Sequence, residues 1–361
     1  MGTSNLYCLL FFLCLGHQER KTIQRKDSGN VLEEGGWFLI LGKVNFCIEQ
    51  KERKQYMKWF NGSAVFLLVM VVCSSAWAAE DGPFDQYIRP LSNPVYNIDP
   101  RNETTVRVAH LRQNMPSHIN TTLGRVKLGG DLNVTALQLT YAFNERFSLV
   151  AEKTGYIDFN PNNTLEDETG WADYGAGVKY AFIYDPDSKF ILSSRVLFEM
   201  SQGSRDVFQG NGSGNVAPSL HFLKGFDKLQ LNGGIGVVIP FDGDEESTVL
   251  FDTWHISYAV TPWFFPLIEL NHFRVLDDAK RDELVASVVS FEGGDLINFG
   301  AHHGKRNKDI VTLAIGSRFR VLQDVAFIKN MDIGVGYEFP LTDKNDNLME
   351  DRFTFDVVFF F

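Results

Sequence analysis

The sequence predicts an all-β chain, a transmembrane antiparallel up-and-down β-barrel of about twelve strands. Three observations predict it. Apolar and polar residues alternate with period two, about ten residues at a time, from residue 104 to the end. The links between these segments alternate between short and long. The chain stops on Phe359-Phe360-Phe361, inside its last strand.

Composition narrows the field first. The 361 residues carry 34 Lys+Arg and 45 Asp+Glu, a net charge of -11. An acidic balance lacks the basic face of a nucleic-acid binder. Hydrophobic residues make up 44%, too many for a disordered tail. All four cysteines (Cys8, Cys14, Cys47, Cys73) precede residue 74. A disulfide framework, a cysteine zinc site and a thiol nucleophile are therefore excluded beyond Cys73.

The front end reads as an address. In residues 57–79, Lys58 supplies a positive start, Ala64–Cys73 an apolar run, and Ala76-Trp77-Ala78 a small-residue cleavage pattern. These are the parts of a secretory signal peptide, 57–78. The run is shorter than the roughly 18–20 residues of a membrane-spanning helix. Val72 departs from the small residue that would precede a lipidated Cys73. Residues 1–56 read as an upstream extension, with translation starting at Met57; Tyr7–Gly16 as a separate signal is the alternative. Cleavage removes nine Lys/Arg and six Asp/Glu, leaving 25 basic and 39 acidic residues.

Residues 79–103 hold Pro83, Pro90, Pro94 and Pro100, and read as an extended leader, periplasmic or plugging. The barrel spans 104–361. Its segments are 104–112, 132–143, 147–157, 172–183, 190–200, 216–226, 229–240, 248–260, 264–275, 309–321, 329–341 and 351–361. The last shows the pattern well: Phe353, Phe355, Val357, Phe359 and Phe361 share one parity, Arg352, Thr354 and Asp356 the other. Segments 147–157 and 216–226 are the least regular. Short links at Asn144–Arg146, Tyr184–Lys189, Asp227–Lys228, Thr261–Trp263 and Leu322–Ile328 alternate with 113–131, 158–171, 201–215, 241–247, 276–308 and 342–350. Short periplasmic turns and long external loops have this rhythm.

Alternation alone does not say which face meets what. Strand length near the ~9–11 residues of a membrane strand favours apolar-out. So do aromatic clusters at strand ends: Tyr141, Phe143 and Phe147; Tyr180 and Phe182; Tyr258, Trp263, Phe264 and Phe265; Tyr337 and Phe339. An apolar terminal edge strand would aggregate unless closure removed the edge. The signal peptide, the cysteine-free mature chain and the final strand ending in Phe361 resemble bacterial outer-membrane β-barrel proteins, porin-like ones included. The leader, with Arg89-Pro90 and Asn93-Pro94, and the size are similar to the phenol-degradation (MetA-pathway) outer-membrane family. The resemblance implies a non-enzymatic barrel passing or binding small molecules, aromatic or other small organic solutes. It also implies outer-membrane lipid and lipopolysaccharide as surroundings, and Phe361 as a signal to the barrel-assembly machinery.

Parity sends Lys179, Arg195, Glu199, His255, Glu269, Asn271, Arg318, Arg320, Asp332, Glu338, Arg352 and Asp356 inward, with Gln230, Asn232 and Ser257. An open charged channel and a lumen filled by paired side chains both fit. Asp282–Phe291 could fold back as a constriction or stay a surface loop. His302-His303 with Lys305-Arg306, and Asp242, Asp244, Glu245 and Glu246, read as surface groups, so no metal or cofactor is expected. Two other functions stay open. One is a structural or adhesive barrel acting through external loops. The other is a lipid hydrolase using His255, Ser257 and Asn271.

Overall fold

The computed structural model describes residues 82–361, apart from 122–123, 211, 245, 278–308 and 326–327. The upstream extension, the signal peptide, Asp282–Phe291, His302-His303 and Lys305-Arg306 lie outside the described residues.

A closed barrel of twelve antiparallel strands forms. β1 (Thr105–Asn114) pairs on one side with β4 (Gly130–Asn144) and on the other with β16 (Asp351–Phe360). The terminal strand therefore has no free edge. β5 (Phe147–Lys153) and β6 (Tyr156–Pro161) both lie along β4, making one wall strand interrupted at Thr154-Gly155. β7 (Glu168–Trp171) and β8 (Tyr174–Asp185) make the next, interrupted at Ala172-Asp173. Then come β9 (Phe190–Met200), β10 (Asn215–Phe226), β11 (Leu229–Pro240), β12 (Thr248–Tyr258), β13 (Phe264–Asp277), β14 (Asp309–Val325) and β15 (Ile328–Pro340). A small hairpin of β2 (His118–Thr121) and β3 (Gly124–Lys127) sits in the first long link.

The interrupted strands explain why segment 147–157 looks irregular. A bulge between Ala151 and Lys153 turns both Glu152 and Lys153 inward, so strict alternation fails there. The strands also run further than expected, which shortens the link predicted at 158–171 to 162–167. The tightest turn, Asp227-Lys228, holds Asp227 at φ 53°, a conformation Asp tolerates better than most residues.

The two faces are inverted relative to a soluble protein. Outward positions include Phe143, Phe182, Phe198, Ile235, Ile268, Ile315 and Phe353, all exposed. The largest fully buried side chains include Arg107, Arg195, Arg318, Arg352 and Lys179. A wall that exposes its apolar parity and buries its charges is built to stand in lipid. Rings mark its short-turn rim, where Phe143 meets Phe147 at 5.5 Å and Phe264 meets Phe319 at 5.3 Å. Phe265 is a correction to the expected girdle. It is buried, faces inward and lies under the Arg320 guanidinium at 5.5 Å.

Inside the long-link end, apolar residues of the wall and links form a buried cluster of Leu111, Met115, Ile119, Leu128, Phe159 and Leu348, among others. The rest of the interior is filled by residues 82–103.

Candidate functional site

The leader enters the barrel as a U. Near its start, Lys189 Nζ donates to Pro83 O at 3.1 Å and Lys329 pairs with Asp85 at 2.7 Å, both beside short turns. Its apex is Val95–Tyr96. The Tyr96 ring lies 4.5 Å from Phe251 and 5.6 Å from Phe273, within an apolar layer that includes Val238, Val249 and Ile310. The chain then returns to the short-turn rim, where Asn102 Nδ2 donates to Glu145 O at 3.2 Å. Its prolines and the Asn93 backbone (φ 46°) keep it irregular, and it joins no sheet.

Side chains of the wall grip its main chain. Lys179 Nζ donates to Asp99 O at 2.8 Å and Arg101 O at 2.5 Å. Arg195 reaches Val95 O at 2.6 Å and the Glu152 carboxylate at 2.6 Å. Arg318 donates to Arg89 O and Pro90 O, and forks onto both Asp356 oxygens at 2.8 Å. Arg107 joins the same carboxylate and donates to Leu91 O at 2.8 Å. Arg320 reaches Asp85 O and Tyr87 O and is held by Asp332. Glu269 accepts from Leu91 N and Ser92 N. Glu338 accepts from Asn93 Nδ2 at 2.7 Å, and its other oxygen takes Arg352. Charge-assisted bonds of this kind are the stronger sort.

The structure thus puts eleven of the twelve predicted residues on or next to the leader: Lys179, Arg195, His255, Glu269, Asn271, Arg318, Arg320, Asp332, Glu338, Arg352 and Asp356. Glu199 stands apart, towards the long links, paired with Lys153 and accepting from Asn215 Nδ2 at 2.9 Å. Arg107 and Glu152 belong to the site and were missed. Both sit on the inward parity of their segments, Glu152 with Ser148 and Val150; the residue that the bulge hides is Lys153.

His255, Ser257 and Asn271 all face inward but are not bonded to one another. His255 Nδ1 engages Glu269 at 2.6 Å, Ser257 Oγ donates to Gln230 Oε1 at 3.1 Å, and Asn271 bonds Ser92, Thr312 and Glu338. A serine spent on a glutamine is not activated by a base, so the arrangement gives hydrolysis no nucleophile.

No protein-family profile matches the chain, and no curated protein matches it. Among solved structures it is similar to the outer-membrane channel of Pseudomonas putida F1. The TM-score there is 0.52 at 13% identity, covering 78% of this chain and 100% of that one. It is also similar to the NanC porin, at a TM-score of 0.42 and 11% identity over 71% of this chain and 98% of that one. For the KdgM porin the values are 0.40, 12%, 71% and 99%. The first likeness concerns the fold, a closed twelve-stranded barrel. With its apolar outer wall and charged interior, the chain has the fold of a transmembrane β-barrel.

Proposed function

We propose that the barrel passes small organic solutes across the outer membrane, with the leader as a displaceable stopper at mid-lumen. One observation carries the reading. The lumen is filled by a tethered segment that pairs with no strand, rather than by the wall's own side chains alone. A permanently filled barrel needs no such insert. The apolar layer around Tyr96 favours organic over purely polar solutes.

The test exploits the cysteine-free mature chain. Ser92 Oγ and Asn271 Nδ2 lie 3.0 Å apart, so the variant S92C/N271C sets two thiols facing each other, and the irregular leader supplies the small shift that a disulfide between them requires. In planar bilayers the reduced protein is expected to give discrete conductance steps, and the oxidised protein to fall silent until a reductant is added. Conductance unchanged by oxidation would overturn the stopper. Silence of wild-type and reduced variant alike would overturn passage itself.

A further inference from the structure

Five wall cations hold eight carbonyl oxygens of the leader: Arg107, Lys179, Arg195, Arg318 and Arg320. By contrast, a single wall carboxylate, Glu269, takes main-chain N–H groups of the leader, those of Leu91 and Ser92. The wall therefore meets the leader's backbone chiefly as a row of donors seeking oxygens. Lys179 is the clearest member. Its two hydrogen-bond partners are the carbonyls of Asp99 and Arg101, with no carboxylate in salt-bridge range among the described residues. Removing the leader would leave that ammonium without its hydrogen-bond partners.

At the apex the leader carries both halves of a recognisable ligand. The Val95 carbonyl oxygen sits on Arg195 at 2.6 Å. The adjoining Tyr96 ring packs on Phe251 and Phe273. An oxygen acceptor on a guanidinium, next to a ring in an apolar layer, is how an aromatic carboxylate would be held. The seat is also imperfectly matched to the leader. Arg195 Nε and Nη2, Arg107 Nε and, on the leader, Asn97 Nδ2 are buried without a hydrogen-bond partner among the described residues. Each such group costs free energy, which lowers the penalty for exchanging the leader for another occupant.

We propose that the leader's seat is a binding track for small organic anions with an apolar body, which compete with the leader for Arg195, Lys179 and their neighbours. The proposal rests on the stopper reading and adds the class of solute. Charge is the selecting property: an ammonium bearing the same ring would meet the wrong sign.

Thiol labelling of the full mature chain tests it, with sodium benzoate as the probe. Ile98 is a buried leader residue, so the variant I98C is labelled by a water-soluble maleimide only when the leader leaves. Benzoate at about ten times its dissociation constant is expected to raise the labelling rate about tenfold. Equimolar sodium chloride and benzylammonium chloride should leave it unchanged. The double variant I98C/K179Q should label faster without probe, because the leader has lost two hydrogen bonds, and should respond less to benzoate. A heat-dependent gel shift confirms that each variant forms the barrel. Labelling indifferent to benzoate, or raised equally by benzylammonium, would overturn the anion track. If bilayer conductance persisted in that case, the passage reading would stand while this inference fell. The reverse, benzoate-driven labelling without conductance, would establish the binding track and remove the passage.

Discussion

At the scale of single residues, Asp356 bears the most. It lies between Arg318, which forks onto both its oxygens, and Arg107 at 2.5 Å, and all three are buried. Deleting one member of such a group leaves buried charge uncompensated, which typically costs about 3–5 kcal/mol. D356A is therefore expected to lower the unfolding free energy, read from the urea midpoint of the heat-resistant barrel band, by an amount of that order. D356N, which keeps an acceptor, should lose less. An equal loss in both would show that packing rather than charge holds the site. On the outer face the sign reverses. Ile268 is 53% exposed, in an apolar stretch of β13. I268R is expected to cost about 2–4 kcal/mol if that position lies near the bilayer midplane. A neutral effect on refolding into liposomes would move the belt away from it.

At the scale of elements, the link 241–247 carries a pH dependence. Burial and the neighbouring Glu199 carboxylate push the Glu246 carboxyl up to about 7. It packs against Gly212 of the link 201–214, where an added Cβ would meet its Oε1 at 2.5 Å. A carboxyl whose folded pKa is raised favours the fold while protonated. That contribution is complete below its ordinary value near 4.5 and is lost as pH rises through about 7. Proteolytic nicking of this link should therefore speed up between pH 5 and pH 8, and E246Q should remove the trend. Nicking that is flat with pH in the wild-type chain would contradict the assignment.

At the scale of the whole molecule, the architecture was legible because alternation survives wherever a strand divides two unlike media. β16 shows it plainly, as do the short-turn halves of β12 and β14, where Trp254, Ile256 and Tyr258 face out against His255 and Ser257, and Ile315, Phe319 and Val321 face out against Arg318 and Arg320. Alternation could not show the bulge at Ala151–Lys153, since a bulge adds a residue that no period records. Nor could it show the leader's position. A Pro-rich segment has no period, and the groups that seat it are mostly main-chain carbonyls, which every sequence possesses. Parity points to the inward charges but not to their partners, many of which are backbone groups. The first check at this scale is direct. Protein expressed from Met57 is expected in the outer-membrane fraction with a mobility shift on boiling. A soluble product with no shift would reverse every assignment of inside and outside.

Both ends of the leader lie at the same rim: Pro83 against Lys189, and Thr104 accepting from Phe361 N at 3.0 Å beside the last strand. The segment therefore threads nothing. It can be drawn out and replaced as a loop without passing a chain end through the ring, and the barrel is unknotted in either state. The seam between β1 and β16 joins the first and last strands among the described residues, and the leader directly precedes β1. Insertion can thus follow closure of the ring as readily as precede it, and folding imposes no order on the two events.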